Sequence, residues 1–306
     1  MKIFENILKK YWGYTKFRPL QLEIIRSVHS GVDTLGLMPT GGGKSITFQI
    51  AGLAKEGICI VVTPLIALMK DQVDSLRQKG IKAIAIYSGM NYKEIEIAYD
   101  NCTYGNVKFL YISPERLKTD MFRERIRNMN VNLLTIDEAH CISQWGYDFR
   151  PSYLEIIEIR NVIPTVPVLA LTATATPDVV ADIQNKLGFK RHNVLQTSFE
   201  RKNLTYIVKQ KEDKLGYILT ICKKIRGAGI VYVKTRKQTK EIALALREMG
   251  VNTDFYHAGL DAQTRNLKQE NWMKSHNMVM ISTNAFGMGI DKPNVRFVLH
   301  FDMPES

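Results

Sequence analysis

The sequence predicts an α/β protein made of two lobes, each with a parallel sheet flanked by helices. Short apolar runs alternate with helix-like segments, a pattern that indicates strands buried on both faces by crossover helices. The chain has 306 residues, which is enough for two domains of ordinary size. A polar stretch over residues 198–203 interrupts the series of runs. We therefore predict a first lobe over residues 1–200 and a second lobe over residues 201–306.

The apolar runs give the predicted strands in order. In the first lobe they cover residues 34–38, 58–63, 83–87, 107–112, 133–136 and 168–171. In the second lobe they cover residues 229–233, 253–256, 279–281 and 295–301. Residues 302–306 follow the last run and are typical of an interrupted loop, so we expect the second lobe to be incomplete.

The charge of the chain favours a polyanionic partner. Lys and Arg total 42 against 30 Asp and Glu, which gives a formal net charge of +12. Release of condensed counterions makes such a surface bind nucleic acid, although charge alone does not separate nucleic acid from an anionic membrane. The apolar runs are too short to span a bilayer, and the first residues lack a signal-peptide core. We therefore expect a cytoplasmic protein without a membrane partner.

The cysteines do not form a recognisable framework. The chain has four scattered cysteines, and no two of them form a Cys-x-x-Cys pair: Cys59, Cys102, Cys141 and Cys222. Structural zinc sites and disulfide scaffolds both show clustered or regularly spaced cysteines. We predict neither a zinc site nor disulfides in this chain.

Residues 38–45, which read MPTGGGKS, follow the first predicted strand and precede a helix-like run over residues 46–54. This is the context of a phosphate-binding loop, in which backbone amides wrap phosphate oxygens and the helix N-terminus adds favourable charge. Met38 stands where such loops usually have their first glycine, so a plain glycine-rich turn is the alternative for this segment alone. The predicted nucleotide-binding residues are Thr40, Gly41, Gly42, Gly43, Lys44 and Ser45, with Lys44 at the β- and γ-phosphates and Ser45 at Mg²⁺.

Two adjacent carboxylates, Asp137 and Glu138, directly follow the predicted strand over residues 133–136. The carboxyl ends of buried parallel strands are where open α/β sheets bind ligands. Asp137 suits a Mg²⁺ ion, and Glu138 suits the general base that orients and deprotonates an attacking water. An acidic turn in solvent is the alternative for this pair alone, but its combination with a phosphate loop predicts ATP hydrolysis, with Lys44, Asp137 and Glu138 as catalytic residues.

The residues around the two sites resemble superfamily 2 helicases and, within them, the RecQ family. Residues 141–151, CISQWGYDFRP, resemble the aromatic-rich loop of that family, and residues 282–292, STNAFGMGIDK, resemble its motif for DNA and the ribose. The resemblance implies two RecA-like lobes of the P-loop NTPase type. It also implies ATP and Mg²⁺ as cofactors, and movement 3′ to 5′ on single-stranded DNA. Unwinding of forked or tailed duplexes in DNA repair and recombination, and association with a bacterial nucleoid, are further implications.

The resemblance also assigns roles to single residues. Residues 14–21, YTKFRPLQ, are similar to the adenine-reading motif, which implies that Tyr14 stacks on the base while Arg18 and Gln21 contact it. The resemblance also implies that Gly289 and Asp291 contact the nucleotide. The residues implied at nucleic acid are Thr63, Pro64, Ser113, Arg116, Trp145, Phe149, Arg150, His257 and Thr283. The residues implied in coupling ATP hydrolysis to DNA binding and lobe movement are His140, Gln144, Thr172 and Thr174.

The residues themselves support some of these roles and leave others open. Trp145, Tyr147 and Phe149 beside Arg150 suit a stacking platform for single strands, because every base offers a π-face. Core packing is the alternative for these rings, although the Gly, Ser, Asp and Pro around them favour an exposed loop. Thr63 and Ser113 are equally compatible with ordinary helix caps. Phe17 is expected in the core, and Thr176 is expected to cap a helix with Pro at its first position.

The RecQ pattern continues with an arginine-containing motif that this chain does not include. An arginine finger can raise turnover about 10³- to 10⁵-fold, so we expect poor hydrolysis by the 306 residues alone. Two alternatives remain from the sequence: a superfamily 2 RNA helicase, and a fragment that binds ATP and nucleic acid with little turnover. Comparing the stimulation of hydrolysis by DNA and RNA separates the first alternative from the main hypothesis.

Overall fold

A computed structural model describes residues 2–145, 148–173, 175–198, 203–287, 290 and 292–303. The chain divides into two compact units, Met1–Arg201 and Lys202–Ser306. Residues 199–202, within the predicted boundary stretch, lie outside the described residues. None of the helices in the described ranges is both long and apolar enough to cross a bilayer.

The first unit is built on a seven-stranded parallel sheet with the strand order β3-β4-β2-β5-β6-β1-β7. The strands are β1 (Thr34–Leu37), β2 (Ile58–Val62), β3 (Ala83–Ile86), β4 (Phe109–Ile112), β5 (Val131–Ile136), β6 (Val168–Thr172) and β7 (Val194–Gln196). The helices are α1 (Lys2–Trp12), α2 (Gln21–His29), α3 (Lys44–Leu53), α4 (Ile66–Gln78), α5 (Tyr92–Tyr104), α6 (Asp120–Ile126), α7 (Ile156–Val162) and α8 (Pro177–Lys186).

Each face of this sheet has its own apolar core because successive strand residues point to opposite sides. All five residues of β2 are buried. Ile60 and Val62 join the core on one face, where Tyr99 and Phe122 pack. Cys59 and Val61 contribute to the second core, which packs against α1 to α4. A strand buried on both faces explains why its sequence is continuously apolar.

The second unit has a four-stranded parallel sheet with the order β11-β8-β10-β9. Its strands are β8 (Ala228–Tyr232), β9 (Thr253–Tyr256), β10 (Val279–Ser282) and β11 (Val295–His300). Its helices are α9 (Lys214–Lys224), α10 (Arg236–Glu248) and α11 (Ala262–Lys274). One core cluster contains Val231 and Ile281. Trp272 and Met280 belong to a second cluster.

The two parallel sheets with flanking helices confirm the predicted fold class. A strand overlaps each of the ten predicted runs. Strand β7 was not predicted, because it has three residues at the edge of the sheet and is only partly buried. Phe17 packs against the core as expected, and all four cysteines are free thiols.

The expected cap of α8 is present, and it makes a testable contribution to stability. The Thr176 hydroxyl accepts a hydrogen bond from the Val179 amide at 3.4 Å, and Pro177 is the first helical residue. We expect Thr176→Ala to lower the free energy of unfolding of the first unit by about 1 kcal/mol, because an orphan amide loses its partner. Urea unfolding followed by circular dichroism measures this change.

The matched control is Thr103→Ala. The Thr103 hydroxyl donates to the Tyr99 carbonyl within α5, a contact that duplicates an existing helical bond. Its removal should change stability by less than about 0.5 kcal/mol. Equal effects of the two substitutions would contradict a specific contribution from the cap.

Candidate nucleotide and nucleic-acid site

Most of the first-unit residues singled out from the sequence lie at one edge of the sheet. The last residues of β4, β2 and β5 pair in register, so Ser113, Thr63 and Asp137, which directly follow them, are neighbours at this edge. Thr172 ends β6 and pairs with the last residue of β1, after which the glycine-rich loop begins. This is the carboxyl edge, where ligands of open α/β sheets bind.

The glycine-rich loop adopts a backbone that suits a phosphate group. Gly41 and Gly43 have φ angles of 77° and 79°, in the left-handed region that favours glycine. A Cβ on Gly43 would lie 2.4 Å from the Gln21 side-chain nitrogen. Helix α3 starts at Lys44, and no side chain caps its N-terminus. Free helical amides beside a lysine and a serine hydroxyl at Ser45 fit the phosphates of a nucleotide.

Arg18, which precedes α2, and Gln21, the first residue of α2, brace this loop. The Arg18 guanidinium donates to the carbonyl oxygen of Gly41. The Gln21 side-chain nitrogen donates to the carbonyl oxygens of Gly42 at 3.3 Å and Gly43 at 3.1 Å. The Arg18 amide in turn donates to Gln21 Oε1 at 2.9 Å. The sequence did not predict this brace, which joins residues more than 20 positions apart.

The brace bears on the predicted adenine contacts. Gln21 is only 2% exposed, and both its side-chain oxygen and its side-chain nitrogen already form hydrogen bonds within the protein. Tyr14, in contrast, is 52% exposed and has a free ring surface for stacking. Contact of Arg18 and Gln21 with a base stays a prediction, and it would require these side chains to share or exchange their present bonds.

The two predicted carboxylates lie beside Lys44. Burial raises the pKa of Asp137, and the charge of Lys44 opposes this rise. Burial first, and then the neighbouring charge of Asp137, raise the pKa of Glu138 to about 7. Glu138 has a φ of 49°, an uncommon value for a residue with a side chain, which marks a constrained turn. A carboxylate poised near neutral pH suits a general base.

A buried tyrosine that the sequence did not indicate supports this turn. The Tyr153 hydroxyl donates to the carbonyl oxygen of Asp137 at 2.9 Å and is fully buried. Its position among apolar residues is typical of core packing, so only the fold shows its contact with the carboxylate segment. The charge of Lys44 compensates the burial of Asp137 only in part. A divalent cation bound with a triphosphate would therefore fit these two residues.

His140 connects the carboxylate turn to the end of β6. Its Nδ1 atom lies 2.9 Å from the Thr172 hydroxyl and 3.4 Å from Glu138 Oε2. Burial lowers the pKa of His140, so its ring is neutral at pH 7. The structure thus brings together two of the predicted coupling residues. Gln144 is exposed, and Thr174 lies outside the described residues.

The aromatic segment presents one tryptophan to solvent. Trp145 is 78% exposed, an unusual position for so large a ring. Phe149 is half-buried. Arg150 donates two hydrogen bonds to Asp148 Oδ2, at 3.0 and 3.2 Å, and one to the Pro64 carbonyl oxygen at 3.4 Å. The segment is therefore tied to the strand-end residues, while Gly146 and Tyr147 lie outside the described residues.

The other predicted nucleic-acid residues of the first unit are largely buried. Thr63 and Ser113 are each 2% exposed, so little of either side chain reaches the surface. Arg116 is half-buried and donates to the Tyr87 carbonyl oxygen at 3.2 Å. Contact of these residues with a DNA backbone stays a prediction. Because the Thr63 and Ser113 side chains are buried, their main-chain groups would contact the phosphates more readily than their hydroxyls.

In the second unit, two predicted residues again follow neighbouring strands. Strands β9 and β10 pair in register up to Tyr256 and Ser282, so His257 and Thr283 lie next to each other at the strand ends. The His257 ring stacks on Phe255 with centroids 5.9 Å apart. Gly289 and Asp291 lie outside the described residues.

Comparison with known proteins identifies the family. Residues 18–183 match the DEAD/DEAH box helicase family, and residues 210–306 match the helicase conserved C-terminal domain. The chain belongs to the DEAD/DEAH box helicases, a class of proteins with RecA-like lobes. Within that class it is a RecQ-type sequence.

The similarity extends over nearly the whole chain. The chain is 45% identical over 99% of its length to the ATP-dependent DNA helicase RecQ of Bacillus subtilis, and it covers 52% of that protein. It is 39% identical over its full length to the probable ATP-dependent DNA helicase RecS of the same organism, covering 62% of it. The helicase MrfA in a DNA-bound crystal structure has the same fold, with a TM-score of 0.77 at 14% identity, over 99% of this chain and 47% of MrfA. The chain thus spans about half of its RecQ relative.

Proposed function

We propose that this chain is the motor segment of an ATP-dependent DNA helicase that moves 3′ to 5′ on single-stranded DNA and unwinds forked or tailed duplexes. One observation carries the proposal: a single sheet edge holds the phosphate-type loop with Lys44, the carboxylates Asp137 and Glu138, and the segment bearing the exposed Trp145. Two relatives that are similar over almost the whole chain are named as DNA helicases or probable DNA helicases. The first 200 residues form the ATP-binding lobe in this proposal, and residues 201–306 contribute the second motor lobe.

The proposed ligands are ATP and Mg²⁺, and we assign no zinc to the chain. Lys44 and the uncapped amides of α3 bind and orient the phosphates. Ser45 and Asp137 hold Mg²⁺, which when bound neutralises charge on the phosphate oxygens. Glu138 orients a water molecule and takes its proton, for which its pKa of about 7 is suited.

The contacts at the edge supply a route from DNA to this chemistry. Trp145 offers a stacking surface to unpaired bases. Arg150 links the same segment to the strand end at Pro64, and its amide donates to the carbonyl oxygen of Cys141 at 2.8 Å. His140, which precedes Cys141, contacts both Glu138 and Thr172. DNA bound at the aromatic segment can therefore bias the position of Glu138 through short hydrogen-bonded connections. Differential affinity of the two nucleotide states for DNA would drive movement.

The deciding experiment compares ATP hydrolysis without nucleic acid, with single-stranded DNA and with single-stranded RNA of the same length. We expect DNA to raise kcat about tenfold or more above RNA, as a DNA-responsive general base requires. Lys44→Ala is the control, because hydrolysis by the proposed site requires this residue. Equal stimulation by RNA would favour an RNA helicase, and turnover that survives Lys44→Ala would contradict the proposed site.

A further inference from the structure

A buried tyrosine hydroxyl joins two helices of the first unit. The hydroxyl of Tyr111, on β4, donates to Gln72 Oε1 at 2.9 Å and accepts from Gln49 Nε2 at 3.2 Å. Gln49 lies on α3 and Gln72 lies on α4. Tyr111 and Gln49 are both buried. Side chains from three elements thus form one hydrogen-bonded connection, which we call the Tyr111 bridge.

The surroundings of the bridge are apolar. Tyr111 belongs to the core cluster that contains Phe48, Met69 and Val73, and its ring meets Phe48 edge to face at 6.3 Å. Burial raises the pKa of the Tyr111 hydroxyl well above its ordinary value, so this group is neutral. A polar group in such a site is costly unless it keeps its partners. The bridge therefore holds α3 and α4 at a fixed separation.

The two helices lead to different parts of the proposed site. Helix α3 begins at Lys44, directly after the glycine-rich loop, and Gln49 lies in its second turn. Helix α4 begins at Ile66, directly after the segment with Thr63 and Pro64. The bridge lies on the face of the sheet where α3 and α4 pack. The proposed hydrolysis mechanism does not use it.

We propose that the Tyr111 bridge couples nucleotide binding at α3 to single-stranded DNA binding at the segment before α4, with Tyr111 as a positioning residue. This inference rests on the proposed function, because it needs both ligands to bind the first unit. A shift of α3 around bound phosphates would be transmitted to α4 through the two hydrogen bonds of the Tyr111 hydroxyl. Because coupling between two binding sites is reciprocal, DNA would raise nucleotide affinity by the same factor.

The test measures the affinity of a fluorescent, non-hydrolysable ATP analogue with and without a saturating thymidine oligonucleotide. The coupling factor is the ratio of the two dissociation constants, and we expect about 5 or more for the unchanged chain. Tyr111→Phe should bring this factor close to one, while analogue affinity without DNA stays within about twofold. Tyr99→Phe is the matched control, because this fully buried tyrosine belongs to the core on the opposite face.

A triple variant, Gln49→Met with Tyr111→Phe and Gln72→Met, separates coupling from stability. Replacing all partners by apolar groups of similar shape leaves no unpaired polar atom, so thermal stability should recover relative to Tyr111→Phe. The coupling factor should nevertheless stay near one. Recovery of both stability and coupling would overturn the inference, because it would show that the bridge only affects packing.

Failure of the inference can be distinguished from failure of the proposed function. A coupling factor above one that survives Tyr111→Phe overturns the bridge and leaves the helicase proposal intact. Absence of analogue or DNA binding by the unchanged chain, or binding of both with a factor of one, overturns the coupled motor and the bridge with it.

Discussion

Glu138→Gln is expected to lower kcat for ATP hydrolysis about 10²- to 10⁴-fold, the range typical for loss of a positioned general base. The amide keeps the shape of the carboxyl group but cannot accept a proton from water. Lys44 and the free amides of α3 are unchanged, so affinity for ATP should stay within a few-fold of the original. Steady-state hydrolysis and equilibrium binding of an ATP analogue measure the two effects separately.

The pH dependence of ATP hydrolysis gives an independent test of Glu138 as the general base. Burial and the adjacent Asp137 raise the pKa of Glu138 to about 7. Glu138 must be ionised to accept a proton, so kcat/KM should fall as the pH drops below about 7, approaching tenfold per unit. Glu138→Gln should lose this acidic limb. A limb that persists unchanged in the variant would assign the titration to another group and contradict the role of Glu138.

Much of the fold followed from local patterns in the sequence. Strand β2 is continuously apolar because helices cover both faces of its sheet, and such a run is visible without knowledge of the fold. Strand β7 was missed because three partly exposed residues at a sheet edge carry no comparable signal. Its pairing with β1 depends on contacts between distant parts of the chain.

The candidate site was predictable where chemistry and spacing coincide. Lys44 follows three glycines at a strand end, and Asp137 follows another strand, so the parallel sheet had to bring both to one edge. The contacts of Gln21, Tyr111 and Tyr153 were not predictable in this way. Each is a side chain whose partner is chosen by tertiary packing, and its residue type alone is equally typical of surface or core.

Trp145→Ala is expected to weaken binding of single-stranded DNA about 5- to 150-fold, because stacking of one base on an aromatic ring contributes about 1–3 kcal/mol. The ring is 78% exposed, so its removal should leave folding almost unaffected. DNA-stimulated hydrolysis should fall at subsaturating DNA, whereas hydrolysis without DNA should change little. Fluorescence anisotropy of a labelled oligonucleotide, measured at fixed salt, gives the affinity.

Tyr104→Ala provides a control of matched exposure. Tyr104 is also 78% exposed, but it ends α5, away from the carboxylate turn and the glycine-rich loop. If exposed aromatic area alone attracted DNA, both substitutions would weaken binding equally. If Trp145 stacks on a base, only its loss should matter, and Trp145→Phe should recover much of the affinity because it keeps a π-face. Unchanged affinity in Trp145→Ala would exclude this residue from the DNA-binding surface and leave Arg150, the residue that ties the segment to Pro64, as the next one to test.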